Sequence, residues 1–477
     1  MPPQPAVMAT GVPVVPARPV SEATPLKGPS DRFAASTKCN DWFFALLMIV
    51  HLLGVVVIAA TTLPGLKLDS PPKGQQQVAE PPNLALGFVV TLVPSIITGF
   101  GCIVGLAYFM QRDARLLFNV MFGLSLALLC VDVAILALTG SVSGVLFAIL
   151  AVVFILLHVL FWFAVQRYVY FVAACLETTL AFLKRHPATL GLGAASLVPA
   201  LGWTILAALC IVAVSQQMEG ASADAKGLLQ AQYFFLIFSI FWVWQFVSSA
   251  VHVTVAGAFA SWYFFGSRAT NVVLGSLKRT FTSSFGSVSL GSLIVAVLQF
   301  LKFLVRSASQ NEQNVCALCA ECFLSCIEDL VKFFNKYAFC YVAIYGQDFY
   351  GAGRSVFSLF EHKGLATLIN DDVTSIIVTM SVFIGAALGA LVTGLIALVA
   401  LGPQAAILCA LGGALVSGGL VFLVMSTIDS CVATLFVCFA EDPAALNVTA
   451  PDAFAALSVA WAQRYPDFSM AHIHGPY

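Results

Sequence analysis

The chain has 477 residues, of which 60% are hydrophobic and only 9% charged, with a mean hydropathy of +0.95; soluble domains carry roughly 25% charged residues. No aqueous core hides that much apolar surface, so the bilayer is the expected solvent. A net charge of −1 excludes nucleic-acid binding driven by a basic surface, and the 13 cysteines lie mostly in apolar runs as small hydrophobes, unlike a secreted disulfide scaffold.

Residues 1–40 carry eight prolines and almost no apolar periodicity, which reads as a disordered cytoplasmic tail without a cleavable leader. Ten apolar segments follow, near 41–62, 84–109, 115–138, 142–172, 188–214, 230–264, 284–309, 317–345, 372–401 and 404–440. The expected fold is therefore all-α: a polytopic transmembrane helix bundle of about ten spans over 41–440. Within it, 346–371 is a cytoplasmic connection, and 441–477 is a cytoplasmic C-terminal tail. The eighth segment is amphipathic through Glu321, Glu328, Asp329, Lys332 and Lys336, so it reads either as a span or as an interfacial helix.

With the N-terminal tail inside and ten crossings, 15 of the 22 lysines and arginines fall on the inner side and 3 on the outer, as the positive-inside rule requires. Nine crossings would instead place the Asn447-Val448-Thr449 sequon outside. Three small-residue pairs, Gly101/Gly105, Gly140/Gly144 and Gly385/Gly389, offer close helix contacts, of which at most one is expected to be a tight crossing.

The sixth segment organises the candidate site. Tyr233 to Gly266 contains no Asp, Glu, Lys or Arg, yet Trp242, Gln245, Ser249 and His252 share one helical face. Polar groups facing lipid are costly, so this stripe is expected to face a wet cavity or another helix. Trp242, with Trp244, Trp262 and Tyr263, offers π faces to a permanently charged cation. The competing reading is helix packing with hydrogen-bonding glue.

Asp132 in the third span and Asp429 in the last are the intramembrane carboxylates, and proton coupling is the role considered for both. Lys302 and Arg306 share a face of the seventh segment; their expected partners are Glu321, Glu328 and Asp329, as structural ion pairs. Cys316, Cys319, Cys322 and Cys326 imitate a ferredoxin run, but lack its proline and form a helical face, so interfacial palmitoylation fits them better than a cluster. No catalytic, metal or cofactor motif is present, and no enzyme activity is expected.

The second half resembles the choline transporter-like family, which includes the Pns-type proteins. The resemblance rests on the run from His252 to Phe264 (HVTVAGAFASWYF), on Gly286 to Phe300, on Asn335 with Ala338, and on Ala343 to Phe349. It ends with DSCVATLFVCFAED from Asp429 to Asp442, similar to the family's DTIFLCFCED. The chain lacks the long first outer loop of animal members and looks like the compact ones. The resemblance implies ten spans, both termini cytoplasmic, a plasma or organelle membrane, and transport of choline or a related amine. The alternative is a membrane scaffold or lipid-handling protein.

Overall fold

A computed structural model describes residues 32–33, 39–66, 84–112, 114–138, 142–165, 169–308, 315–363 and 373–464. Among the described residues there is no strand. The described residues form sixteen α-helices: α1 (Trp42–Thr62), α2 (Leu84–Arg112), α3 (Ala114–Leu138), α4 (Val142–Val165), α5 (Val169–Arg185), α6 (Ala188–Ala195), α7 (Leu197–Glu219), α8 (Ala223–Phe265), α9 (Val272–Phe281), α10 (Phe285–Ala308), α11 (Val315–Tyr345), α12 (Phe349–Lys363), α13 (Val373–Leu401), α14 (Pro403–Glu441), α15 (Pro443–Thr449) and α16 (Pro451–Arg464).

Seven described stretches are long and apolar enough to cross a bilayer: Trp42–Gly65, Val89–Tyr108, Ala188–Glu219, Asp224–Arg268, Phe285–Ala308, Ile377–Leu401 and Ala405–Glu441. The polytopic all-α bundle expected from composition is therefore what the chain forms. One sequence-level boundary needs correction: the segment at 142–172 divides into α4 and α5.

The two ends of the membrane region meet. Arg32 Nη1 donates to Asp442 Oδ2 at 3.0 Å, and the Asn40 side chain donates to the Gly346 carbonyl at 2.5 Å. The Asn40 N–H donates to the Ser283 carbonyl at 2.9 Å. Residues before α1, before α10, after α11 and after α14 thus share one end of the bundle. The α10–α11 pair is therefore an antiparallel hairpin, and α11 traverses the bundle instead of lying across its end. The α3–α4 pair, of 25 and 24 residues, is antiparallel as well, with Ser125 Oγ 2.9 Å from His158 Nε2 and Trp162 Nε1 3.3 Å from Asn119 Oδ1.

Polar contacts make the α10–α11 hairpin tolerable. Glu328 accepts from Lys302 Nζ at 2.7 Å, Lys332 Nζ at 2.6 Å and Gln299 Nε2 at 3.0 Å, so a carboxylate only 4% exposed keeps a full set of donors. Arg306 reaches Glu321 at 3.4 Å. Asp329 pairs with no other described residue, so of the three acids expected opposite Lys302 and Arg306, two serve.

The α13–α14 pair is the most extensive helix contact, and the reason is local. A Cβ on Gly389 would lie 2.5 Å from the Gly413 carbonyl, so only glycine lets these backbones meet. Gly101 and Gly105 face nothing within 4 Å, and Gly140 lies outside the described residues. Of the two pairs described, Gly385/Gly389 makes a tight crossing and Gly101/Gly105 does not.

Candidate functional site

A cavity of about 340 Å³ lies inside the bundle, within the range of roughly 300–1,000 Å³ typical of small-molecule sites. It is bounded by the α6–α7 break, the middle of α8, the second half of α11, the start of α13 and the middle of α14. The break comes at Ser196, whose hydroxyl turns back to the Gly193 carbonyl at 2.7 Å. Gly193 itself has no room for a side chain, since a Cβ would meet Thr427 Oγ1 at 2.7 Å. The break therefore presses directly on α14 and closes one wall.

Three helices are pinned together at the cavity floor. His252 of α8 lies with Nε2 2.8 Å from the Lys336 carbonyl of α11. A carbonyl only accepts, so Nε2 carries the hydrogen. Its Nδ1 lies 2.8 Å from Ser430 Oγ of α14. That hydroxyl is also 2.9 Å from the Ser426 carbonyl, so its one hydrogen serves one of these at a time. Lys336 Nζ then reaches across to Asp429 Oδ1 of α14 at 2.8 Å. Beside it, Asn335 donates to the Gly291 carbonyl of α10 at 2.9 Å.

The structure brings together Trp244, Gln245, Ser249, His252 and Asp429, all lining this cavity. Trp242 and Tyr263 lie elsewhere. Trp242 packs against His51 and Phe238, with centroids 4.8 and 5.8 Å away, and its indole N–H finds no partner among the described residues. Tyr263 donates to the Asp442 carbonyl at 3.1 Å, at the end of the bundle. Trp262 packs against Phe182 and Phe259 in the core. The stripe is continuous in angle along α8, but the cavity is short. It takes residues 244–252 of that helix, about 13 Å at 1.5 Å per residue, and Trp242 falls one step outside.

The Asp132 side chain lies outside the described residues. So does Cys316, while Cys319, Cys322 and Cys326 are exposed on α11. Among the described residues, no group of three His, Cys, Asp or Glu side chains could hold a metal ion.

Sequence reasoning missed Lys336, Ser426 and Ser430, and the contributions of α13 through Ser375 and Thr379. For Lys336 a signal was present. Asp429 lies in an apolar helix with no basic residue of its own, and Lys336 has no acid within one turn of it on α11, so each is expected to find a partner on another helix.

The geometry can be set beside related proteins. Residues 146–444 match the family model described as plasma-membrane choline transporter. A CTL-like protein of Dictyostelium discoideum is 31% identical over 327 residues, covering 65% of this chain and 55% of that one. A PNS1 protein of Debaryomyces hansenii is 27% identical over 468 residues, covering 89% and 88%. One from Eremothecium gossypii is 25% identical over 482 residues, covering 92% and 84%. The family match takes in α8, α11, α13 and α14, which supply most of the cavity wall, and the chain belongs to the choline transporter-like family of membrane proteins.

Proposed function

We propose that this protein moves choline or a related organic amine across a membrane by alternating access, with the cavity at Asp429 as the substrate site. A quaternary ammonium has no N–H to donate, so its recognition needs a nearby anion and aromatic faces. Asp429 supplies the anion, and Trp244 and Phe339 line the same space. Ser249 and Ser430 stand beside them as partners for a substrate hydroxyl. The observation that carries the reading is this meeting of one carboxylate and aromatic rings in one cavity amid apolar helices. Both termini are read as cytoplasmic from the charge bias, in the plasma membrane or an organelle. Facilitated movement and proton coupling through Asp429 or Asp132 are separated by the pH profile of transport in Asp429→Asn and Asp132→Asn.

The test is uptake of radiolabelled choline into vesicles containing the purified full chain. Saturable uptake that Asp429→Asn removes supports the reading. Uptake by that variant with unchanged KM rules Asp429 out.

A second reading, lipid handling, has its own observation. An apolar chamber of about 430 Å³ adjoins the polar cavity and shares Ser196, Val247 and Val251 with it. Movement of a fluorescent choline lipid between leaflets, without choline uptake, would favour that reading.

A further inference from the structure

Among the described residues, the end of the bundle where the segment ahead of α1 docks holds a cation without a counter-ion. Arg279 stands in the last turn of α9 and enters no ion pair with another described residue. Its Nε and Nη2 are buried, and neither finds a hydrogen-bond acceptor there. Burial lowers its pKa from the ordinary arginine value, yet an arginine stays ionised and only donates. A full positive charge is therefore withdrawn from water with nothing to balance it. Arg32, at the same end, is the contrast, since its guanidinium has the Asp442 carboxylate at 3.0 Å.

The acceptors around Arg279 are committed elsewhere. The C-terminus of α9 favours a cation, but the Arg279 carbonyl accepts from the Ser284 N–H at 3.0 Å and the Ser283 hydroxyl at 3.2 Å. The Asp41 carboxylate accepts from Ser287 and the Phe349 N–H. The Gly346 and Ile344 carbonyls accept from the Asn40 side chain and the Phe33 N–H. What lies over the guanidinium is the Phe33 ring, its centroid 5.3 Å from Cζ, and a ring face balances only part of a buried charge. Phe33 holds φ at 57°, a left-handed backbone unfavourable for a bulky residue, so its ring is kept there against local strain. On the α8 side, a Cβ on Gly257 would lie 3.4 Å from Nη2, so α8 backs the guanidinium.

A cavity of about 10 Å³ adjoins Arg279 and is lined also by Phe33, Ser276, Ser284 and Gly346. That is room for one sphere of about the size of a water molecule. A phosphate or carboxylate group, with several heavy atoms, is too large. A water molecule would accept from the N–H groups and leave the charge unbalanced. A monatomic anion does both.

We propose that Arg279, with the Ser276 and Ser284 hydroxyls, forms a site for one halide ion, chloride under physiological conditions, which fastens the segment ahead of α1 to α8 and α9. With the ion bound, the guanidinium is balanced, and the Phe33 ring, α9 and the α8 backbone close around the pair. This site is independent of the reading of Asp429.

The test uses the full chain purified in detergent without halide. Thermal unfolding of wild type, Arg279→Gln and Ser284→Ala is followed as chloride or bromide replaces gluconate at constant ionic strength. Wild type is expected to gain several degrees, saturating with either halide, whereas Arg279→Gln shows no saturable gain. Ser284→Ala, with one donor fewer, is expected to need about fivefold more halide for half the gain. Crystals grown in bromide are expected to show anomalous scattering beside the Arg279 guanidinium.

An arginine that only packs makes the opposite forecast: no saturable gain in wild type, and Arg279→Gln destabilised alike in every salt. That result overturns the proposal, as does a saturable gain that Arg279→Gln retains. Equal stabilisation by phosphate, lost in Arg279→Gln, overturns the assignment to a monatomic ion. If Arg279→Gln is not recovered folded, Ser284→Ala and the bromide signal decide. A weaker halide response together with scattering at Arg279 supports the site; an unchanged response, or no scattering there, overturns it.

Discussion

The Arg32 guanidinium donates to the Asp442 carboxylate at 3.0 Å, joining the segment ahead of α1 to the residue that follows α14. The same guanidinium lies 4.0 Å over the Phe264 ring, and the Phe33 N–H donates to the Ile344 carbonyl at 2.8 Å. Burial alone would lower the pKa of Arg32, but its hydrogen bonds with Tyr345 and Asp442 outweigh that and raise it. Farther along, the Asp41 carboxylate accepts from Ser287 Oγ at 2.6 Å and from the Phe349 N–H at 2.8 Å. The segment before α1 is thus strapped across the ends of α8, α10, α11 and α14.

Asp442 has two roles, and two substitutions separate them. Its Oδ1 also caps α15 by accepting from the Ala445 N–H at 3.2 Å. Asp442→Asn is expected to lose the charge pair and keep the cap. Asp442→Ala loses both, and should be less stable than the Asn variant by about 1 kcal/mol. Thermal unfolding of the detergent-purified variants measures the difference; equal melting temperatures would count against the cap.

The sequon offers a test of topology. Thr449 closes α15, and its hydroxyl donates to the Tyr263 carbonyl at 2.9 Å, so Asn447 lies at the same end as Arg32. On the proposed orientation, which takes that end as cytoplasmic from the charge bias, Asn447 is expected to carry no glycan. A mobility shift on glycosidase treatment of protein from a eukaryotic host would reverse the orientation.

Trp242 and Trp244 are two residues apart and should behave oppositely. Trp242 is buried in the core against His51, so Trp242→Ala is expected to cost about 3–5 kcal/mol of stability, with choline affinity unchanged in the folded fraction. Trp244 lines the cavity and is 45% exposed. Trp244→Ala should leave stability nearly intact and weaken choline binding by about 0.5–2 kcal/mol. Calorimetric titration with choline, alongside thermal unfolding, distinguishes them.

Gly389 and Gly101 make a matched pair of controls. Gly389→Val would drive a branched side chain into Ser417 and the Gly413 backbone, for a loss of at least about 1–3 kcal/mol from overpacking. Gly101→Val meets nothing within 4 Å and should express and unfold like wild type. Similar behaviour of the two would mean that α13 and α14 do not rely on their close approach.

Much of the bundle was legible in the sequence because lipid imposes a simple demand, long apolar helices with satisfied backbones. The edges of α1, α10 and α14 follow from where apolar runs stop. The break between α6 and α7 does not, since Gly191 to Ser196 reads as part of an apolar run and the turn shows only through Ser196. The site was half legible. Angle along α8 is written in the spacing of Gln245, Ser249 and His252, but depth is not, and depth is what separates Trp242 from Trp244. The Lys336–Asp429 pair spans 93 positions, and only the three-dimensional arrangement of α11 and α14 brings its members together. The pairing of Glu328 with both Lys302 and Lys332, leaving Asp329 aside, is likewise decided by which side of α11 faces α10.

The contact at Gly389 and Gly413 has a mechanical consequence. Two backbones in van der Waals register behave as a single plank, and Ser417 Oγ, which donates to the Gly385 carbonyl at 2.8 Å, acts as a further peg. Ser95 of α2 meets Thr393 at 3.2 Å and adds a third board to it. Rocking inside this slab would tear its own fastenings, so the movement that alternating access proposes would fall at its seam with α8 and α11, which side chains hold: His252 at Ser430, Lys336 at Asp429, Tyr345 at Glu441 and Tyr263 at the Asp442 carbonyl.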